Sequence, residues 1–421
     1  MLKKIRVEDL EPGMFVADFN TPWLLHPFFP NRITVRSARD VEQMLRCRMT
    51  EVYIDTARGA DSGKAVAAEE AERELGARMR EEVLEPAEPE PVPAPVPFEA
   101  EYRRARELYD EAKSSVERQF GEVGRGRRAD GEVADRTVGD LIASIFRNRD
   151  AMLSLARLKS FDEYTFHHSL NVAVLALNLG VQLGILDREL QRLGIGALLH
   201  DLGKVRLPGG LVQKQGPLDS REYEVVKTHS LHGARILLES GSIPEDCAAV
   251  PLGHHERYDG TGYPRCLTGA GVGKFGLITA IADVYDAMTT DRPYQKGMAS
   301  THALRRLYGW AGTHFHPVYV QKFIQCVGIY PVGTAVHLST GEVGIVVRQN
   351  RDSLLRPWVR LARSARGIPL RRPTDVDLRD PDPRGEAPHA RTIIQVVDPR
   401  GTGLEVDAVL GRETWSVTGD G

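Results

Sequence analysis

LNVAVLALNLGVQLGIL, residues 170 to 186, is apolar on nearly every side of the helix that its residue types favour. A helix without a polar face is typical of the centre of a bundle, where neighbouring helices surround it. From Val138 to about Ile329 the pattern predicts amphipathic helices, which are separated by glycine and proline. The sequence therefore predicts a mainly α protein whose core is a helical bundle over residues 136–329.

The composition changes on both sides of this bundle. Residues 1–62 contain short β-rich runs and one helical stretch, SARDVEQMLRC, in which Val41, Met44 and Leu45 share a face. This pattern predicts a small N-terminal α/β domain. Residues 63–135 combine charged helical segments with the proline-rich run PAEPEPVPAPVP at 86–97, which favours an extended spacer, so we interpret them as a linker. Alternating β patterns with turn glycines predict a β-rich module over residues 330–421.

Charge and cysteine content exclude several classes of function. The chain has 421 residues and a formal net charge of −3, so it has no overall basic field for binding a nucleic-acid polymer. Its four cysteines include no CxxC pair, which argues against a disulfide framework or a thiolate zinc site. The beginning of the chain lacks the apolar stretch of a signal peptide, and no apolar run is long enough to span a membrane. We therefore expect a cytoplasmic protein without a membrane partner.

Histidine is concentrated in the bundle, because ten of the 13 histidines lie between His167 and His316. Imidazole and carboxylate without thiolate form the ligand set of ions such as iron, manganese, nickel or zinc. His200 and Asp201 end an apolar run that has no other charge until Lys204, and a buried carboxylate needs a compensating cation. The pair thus predicts a metal site. Lys204 would lie on the same helical face as Asp201 and reach a phosphate oxygen, or it would be a solvated lysine at a helix end.

Motifs in the bundle resemble the HD-GYP family of cyclic di-GMP phosphodiesterases. In chain order they are HHSLNVA (167–173), LLHDLGK (198–204), KTHSLHGARIL (227–237), GHHERYDGTGYP (253–264) and IADVYDAMTTDRPYQK (281–296). The resemblance covers roughly residues 150–328. The N-terminal runs DLEPGMFV and EVYIDT are similar, less specifically, to the small DUF3391 domain that precedes HD-GYP domains in one subgroup.

The resemblance implies an HD-type helical bundle with two divalent metal ions, iron ahead of manganese, nickel or zinc. By position, one ion would be bound by His168, His200, Asp201 and Asp283. The other would be bound by His229, His254 and His255, with Asp201 as a bridge between the two ions. Some family members hold a third metal through a glutamate four residues before the first ligand. Here that position is Tyr164, which is a poor ligand, so we expect two ions.

The same resemblance implies hydrolysis of cyclic di-GMP to pGpG, GMP or both by a hydroxide that the ions activate. Asp201 and Lys204 are the expected catalytic residues, and Lys204 would offset charge on the phosphoryl oxygens or protonate the leaving group. Gly262 permits a tight loop, in which Tyr263 would stack on a guanine, bind a phosphate or pack the loop. Arg292 is the expected phosphate clamp because its guanidinium is planar and bidentate. Substrate binding is therefore assigned to Lys204, Gly262, Tyr263 and Arg292.

Several alternatives stay open at this point. Two alternatives would keep the same motifs. One is a catalytically weak sensor of the dinucleotide, and the other is an adaptor that docks signalling proteins through the loop that contains Gly262 and Tyr263, called the GYP loop here. Hydrolysis of another nucleotide, such as a cyclic GMP-AMP hybrid, would use the same metal chemistry. Helical segments beside the bundle are compatible with a homodimer. Finally, the arginines of the C-terminal module are either a solvated basic face, support within the domain, or a contact for an anionic partner.

Overall fold

A computed structural model describes residues 1–21, 32–47, 49–83, 96–156, 164–212, 214, 218–291, 297–381, 390–398, 404 and 406–410. Arg292 and most of the proline-rich run lie outside these residues. The expected phosphate clamp and the expected extended spacer therefore stay predictions.

The N-terminal region is a five-stranded antiparallel sheet with one helix. Its elements are β1 (Leu2–Arg6), β2 (Phe15–Asp18), β3 (Ile33–Thr34), α1 (Ala38–Arg46), β4 (Glu51–Asp55) and β5 (Val66–Ala67), and the strand order is β3-β2-β4-β1-β5. Helix α1 begins at a capping box formed by Ser37 and Asp40. Met44 of α1 is fully buried, whereas Leu45, expected on the same face, is 45% exposed. Strand β5 pairs with β1 although it lies beyond the expected boundary at residue 62.

The middle of the chain is helical. Its α-helices are α2 (Ala68–Val83), α3 (Phe98–Gly124), α4 (Gly131–Arg147), α5 (Arg149–Leu155), α6 (Tyr164–Gln182), α7 (Asp187–Leu198), α8 (Gly209–Val212), α9 (Ser220–Lys227), α10 (His229–Ser240), α11 (Ala249–Gly253), α12 (Lys274–Thr289), α13 (Ser300–Gly309) and α14 (Pro317–Val327). Short 3-10 helices span Leu202–Arg206, Glu245–Ala248 and Gly269–Val272. None of the described helices is long and apolar enough to cross a membrane.

Helix α6 is the centre of the bundle, as its apolar sequence predicts. It packs against α3, α5, α7, α12 and α14, and its residues from 168 to 180 are buried. Helix α3 was expected within a linker, but it packs directly on α4, α5 and α6. Its buried face contributes Tyr102, Tyr109 and Val116 to the bundle core. The upstream helix is thus part of the unit that carries the histidine motifs.

The C-terminal region forms a second five-stranded antiparallel sheet. Its elements are β6 (Ala335–Leu338), β7 (Val343–Arg348), β8 (Trp358–Arg363), β9 (Pro369–Asp377), β10 (Ile393–Val396) and the short helix α15 (Val406–Leu410), and the strand order is β10-β6-β7-β8-β9. Arg360 on β8 is 7% exposed and forms ion pairs with Glu99 at 2.6 Å and Asp375 at 2.6 Å. A solvated basic face is therefore the wrong interpretation of Arg360, whose ion pairs are part of the folded structure.

The N-terminal region is attached to the bundle by polar contacts at the end of α13. Arg306 forms an ion pair with Asp18 at 2.6 Å. The indole Nε1 of Trp310 donates a hydrogen bond to the carbonyl oxygen of Asn20 at 3.0 Å. The mainly α fold with a small sheet at each end agrees with the sequence prediction.

Candidate metal centre

Five separate elements bring the expected ligands to one place in the bundle. His168 lies on α6, Asp283 lies on α12, and His229 is the first residue of α10. His200 and Asp201 lie in the turn after α7, and His254 and His255 follow α11. All of them are at most 6% exposed. Three groups have ligand atoms within 4.8 Å of one another: His229, His254 and His255; His168, His200 and Asp283; and His200, Asp201 and His254.

The turn that presents His200 and Asp201 depends on a glycine. Helix α7 ends at Leu198, so the pair lies in a turn and not on a helix as we expected. The 3-10 helix after the turn lies against the beginning of α10. A Cβ atom on Gly203 would lie 1.9 Å from the carbonyl oxygen of His229. Only glycine therefore allows the two ligand-bearing segments to approach this closely.

Backbone hydrogen bonds fix the orientation of three imidazole rings. The Nδ1 atoms of His200, His229 and His254 lie 2.8, 2.7 and 3.2 Å from the carbonyl oxygens of residues 197, 226 and 250. Burial lowers the pKa of His229 to about 4 and that of His254 to about 3. Both rings are therefore neutral near pH 7, donate through Nδ1 and present a lone pair at Nε2.

The Asp201 carboxylate lies between two groups of histidines. Its Oδ1 atom is 3.5 Å from Nε2 of His229, whereas its Oδ2 atom is 3.4 Å from Nε2 of His200 and 3.8 Å from Nε2 of His168. Nζ of Lys204 lies 2.5 Å from the same Oδ2 atom. Burial alone would raise the pKa of Asp201, but Lys204 and the adjacent imidazoles hold it well below its ordinary value. Asp201 is thus an anion with one oxygen directed to each group.

A chain of buried hydrogen bonds supports His168 from behind. Its Nδ1 atom lies 2.8 Å from Oδ2 of Asp286, and Asn171 donates to Oδ1 of Asp286 at 3.0 Å. Tyr109 of α3 donates in turn to Oδ1 of Asn171 at 2.5 Å. On the other side, Nε2 of His168 lies 3.0 Å from Oδ1 of Asp283. Burial would lower the pKa of His168, but its bonds to the two aspartates raise it to about 9. We did not predict roles for Asn171 or Tyr109 from the sequence.

The GYP loop packs against the adjacent pair His254 and His255. The ring of Tyr263 lies 4.7 Å from the ring of His255, and the backbone N–H of Tyr263 donates to the His255 carbonyl at 3.1 Å. A Cβ atom on Gly262 would lie 2.3 Å from the backbone nitrogen of Arg257. The carboxylate of Glu256 accepts hydrogen bonds from two backbone N–H groups of the same loop, at 2.7 and 3.0 Å. Gly262 and Tyr263 therefore lie beside the histidine and aspartate cluster.

The donor set fits divalent metal. Five imidazoles and two carboxylates converge without a thiolate, which is the chemistry that iron, manganese, nickel and zinc accept in proteins. Nε2 of His200 and Oδ2 of Asp283 are buried and have no hydrogen-bond partner among the described residues. Buried acceptors of this kind are costly unless a cation or a donor satisfies them. A bound cation would satisfy both atoms.

Comparison with known proteins gives a consistent result. The family profile described as a domain of unknown function, DUF3391, matches residues 2–134, and that of the HD domain matches residues 142–318. A cyclic di-GMP phosphodiesterase of Pseudomonas aeruginosa is 39% identical over 372 residues, which cover 88% of this chain and 87% of that protein.

Two further relatives match over shorter lengths. A cyclic di-GMP phosphodiesterase of Thermotoga maritima is 35% identical over 39% of this chain and 45% of that protein. A phosphodiesterase of Vibrio cholerae specific for 3'3'-cGAMP is 33% identical over 38% of this chain and 30% of that protein. The match to the Pseudomonas protein is thus the longest of these three and covers most of both chains.

Proposed function

The chain belongs to the HD-GYP family of phosphodiesterases, with a DUF3391 domain ahead of its HD domain, and from this membership we propose that it hydrolyses cyclic di-GMP at a dinuclear metal centre. Hydrolysis would yield pGpG, GMP or both. The observation that carries the proposal is the position of Asp201, because each of its carboxylate oxygens is directed to a different histidine group.

The ligands would divide between two ions at Asp201. One ion would be bound by His168, His200 and Asp283, and the other by His229, His254 and His255, with Asp201 shared by both. Two of the groups of ligand atoms within 4.8 Å of one another support this partition, and the third, His200, Asp201 and His254, lies where the two sites meet. We propose iron as the first metal to test, followed by manganese, nickel and zinc. Such ions, when bound, polarise a phosphodiester and make a water molecule more acidic.

Residues beside the ligands would bind and orient the substrate. The ammonium group of Lys204 lies beside Asp201, and its side chain is 29% exposed, so it would meet a phosphate arriving from solvent. There it would offset charge on the phosphoryl oxygens or donate a proton to the leaving oxygen. The ring of Tyr263 would give a guanine a surface for stacking, in the loop that Gly262 permits. Arg292 is proposed as a phosphate clamp from its sequence motif alone.

Metal content and turnover measured on the same samples test this proposal. The purified full chain is loaded anaerobically with iron or with manganese, and bound metal is measured beside hydrolysis of cyclic di-GMP. We expect two equivalents and turnover in the wild type, and loss of both in Asp201→Ala. Metal-replete wild type with no more turnover than the variant would contradict the enzyme proposal and leave the sensor or adaptor alternative. A single bound equivalent would contradict the dinuclear assignment.

A competition experiment tests the choice of substrate. The Vibrio relative is specific for 3'3'-cGAMP, so the same preparation is assayed with cyclic di-GMP and with that hybrid nucleotide. We expect a higher kcat/KM for cyclic di-GMP. A higher kcat/KM for the hybrid nucleotide would support phosphodiesterase activity but contradict cyclic di-GMP as the preferred substrate.

A further inference from the structure

Tyr109 lies at the far end of the hydrogen-bond chain that reaches His168, and it comes from outside the matched HD domain. Helix α3 carries it and lies in the part of the chain that the DUF3391 profile matches, residues 2–134. The side chains of Tyr109, Asn171, Asp286 and His168 are at most 5% exposed. No solvent-exposed group therefore interrupts this chain.

The direction of each bond in the chain follows from the amide of Asn171. Its NH₂ group donates to Oδ1 of Asp286. The amide oxygen of Asn171 then points the other way and needs a donor. The hydroxyl of Tyr109 supplies this donor at 2.5 Å. Without it, the amide would leave a buried acceptor unpaired or rotate and turn its oxygen toward Asp286, and both arrangements are costly.

Tyr109 also contacts the helix turn that presents the ligand. Its ring stacks on the ring of His167, with centroids 6.2 Å apart and an interplanar angle of 27°. His167 and Asn171 are four residues apart and so lie on one face of α6, on either side of His168 in the sequence. One tyrosine thus contacts both ends of the turn from which the ligand projects.

We propose that Tyr109 is a positioning residue for the metal ligand His168, acting through Asn171 and Asp286, and that α3 is therefore part of the catalytic unit. The inference rests on the proposed metal centre. Ligand histidines bound to a carboxylate through their second nitrogen hold the metal in a fixed direction, and loss of such a partner typically weakens metal binding by about 10- to 100-fold. Because Tyr109 is two bonds further out, we expect the lower end of that range.

The test uses Tyr109→Phe, which removes only the hydroxyl, in the full-length chain. The affinities of the first and second manganese equivalents are measured by competition with a chelator. His168→Ala identifies which affinity belongs to the His168 group. We expect Tyr109→Phe to weaken that affinity by about 10-fold and to leave the other unchanged. The matched control is Tyr102→Phe, which removes a hydroxyl from another buried tyrosine of α3 and should change neither affinity.

A second variant separates positioning from a general loss of packing, and it also serves if Tyr109→Phe does not fold. Asn171→Ala should weaken the same affinity at least as much as Tyr109→Phe, and adding Tyr109→Phe to it should have no further effect. The inference is overturned if Tyr109→Phe leaves both affinities unchanged or weakens both equally. It is also overturned if Asn171→Ala leaves the affinity at His168 unchanged. Failure of the wild type to bind metal would instead contradict the proposed function itself.

Discussion

The Nε2 atoms of His229 and His254 lie 3.3 Å apart, although the Nδ1 atom of each ring is bonded to a backbone carbonyl. A neutral imidazole has one N–H, so two rings that donate through Nδ1 direct lone pairs at each other. Both rings are buried, and the low dielectric of the interior strengthens this repulsion. The fold therefore keeps the two lone pairs in a repulsive arrangement. A cation bound by both nitrogens would replace this repulsion with attraction.

Divalent metal should therefore stabilise the protein against heat. At a free metal concentration about 100 times Kd, linkage contributes about 2.7 kcal/mol for each bound ion, which corresponds to a rise in Tm of about 5 to 10 °C per ion for a bundle of this size. Differential scanning fluorimetry with manganese and with a chelator measures the shift. His254→Ala should remove at least the part of the shift that comes from the ion assigned to His254. His314→Ala, a buried histidine outside the ligand set, should keep it, and equal shifts in the two variants would contradict the assignment.

Loss of the Lys204 ammonium should slow hydrolysis without removing metal. Lys204 contacts Asp201 and is expected to meet the phosphate, so Lys204→Gln removes a charge that acts on the transition state. We expect kcat to fall by about 100-fold while the metal content stays at the wild-type value. The control is Lys214→Gln, since Lys214 pairs with Glu222 away from the ligands. If Lys204→Gln lowers metal content and kcat in parallel, Lys204 supports Asp201 and does not act on the substrate.

Gly203→Ala should separate the two ligand-bearing segments that meet at this residue. Its Cβ would lie 1.9 Å from the His229 carbonyl oxygen and 2.4 Å from the backbone nitrogen of Gly233, and backbone atoms cannot move aside easily. We expect a loss of about 3 kcal/mol in stability and a lower metal content. Gly209→Ala is the matched control because, among the described residues and apart from its chain neighbours and its own helix backbone, no atom lies within 4 Å of its added Cβ. Wild-type metal content in Gly203→Ala would show that the segments adapt.

The members of the histidine and aspartate cluster could be singled out from the sequence because each lies in a short motif with another member or a diagnostic neighbour. His200-Asp201 and His254-His255 are adjacent pairs, and the apolar run before His200 made an unpaired carboxylate improbable. The turn geometry was not predictable in the same way. The apolar pattern of α7 continues to Leu199, whereas the helix ends at Leu198 because the chain turns toward α10. That ending depends on a tertiary contact at Gly203.

Helix α3 shows why the hydrogen-bond chain behind His168 could not be predicted from the sequence. Its dense charges suggested a helical linker, and they obscured a regular apolar stripe of residues 102, 105, 109, 112 and 116, which are all buried. Spacings of three and four residues are typical of a helix packed on one face. The packing of one face of α3 was thus predictable from the spacing of its apolar residues. The bond from Tyr109 to Asn171 was not, because it joins residues 62 positions apart and no local pattern encodes it.

Replacement of Arg360 should destabilise the C-terminal sheet, because this arginine joins it to the bundle. Its guanidinium pairs with Glu99 of α3 and Asp375 of β9, and it also donates to the carbonyl of Val409 at 3.1 Å. Arg360→Met leaves two carboxylates without their cation, but both are partly exposed, so we expect a loss of about 2 to 3 kcal/mol. Hydrogen exchange of the strand amides measures it. The control is Arg366→Met, at an exposed position in the same module, which should change protection by less than about 0.5 kcal/mol. Equal effects of the two variants would show that the ion pairs of Arg360 do not stabilise the sheet.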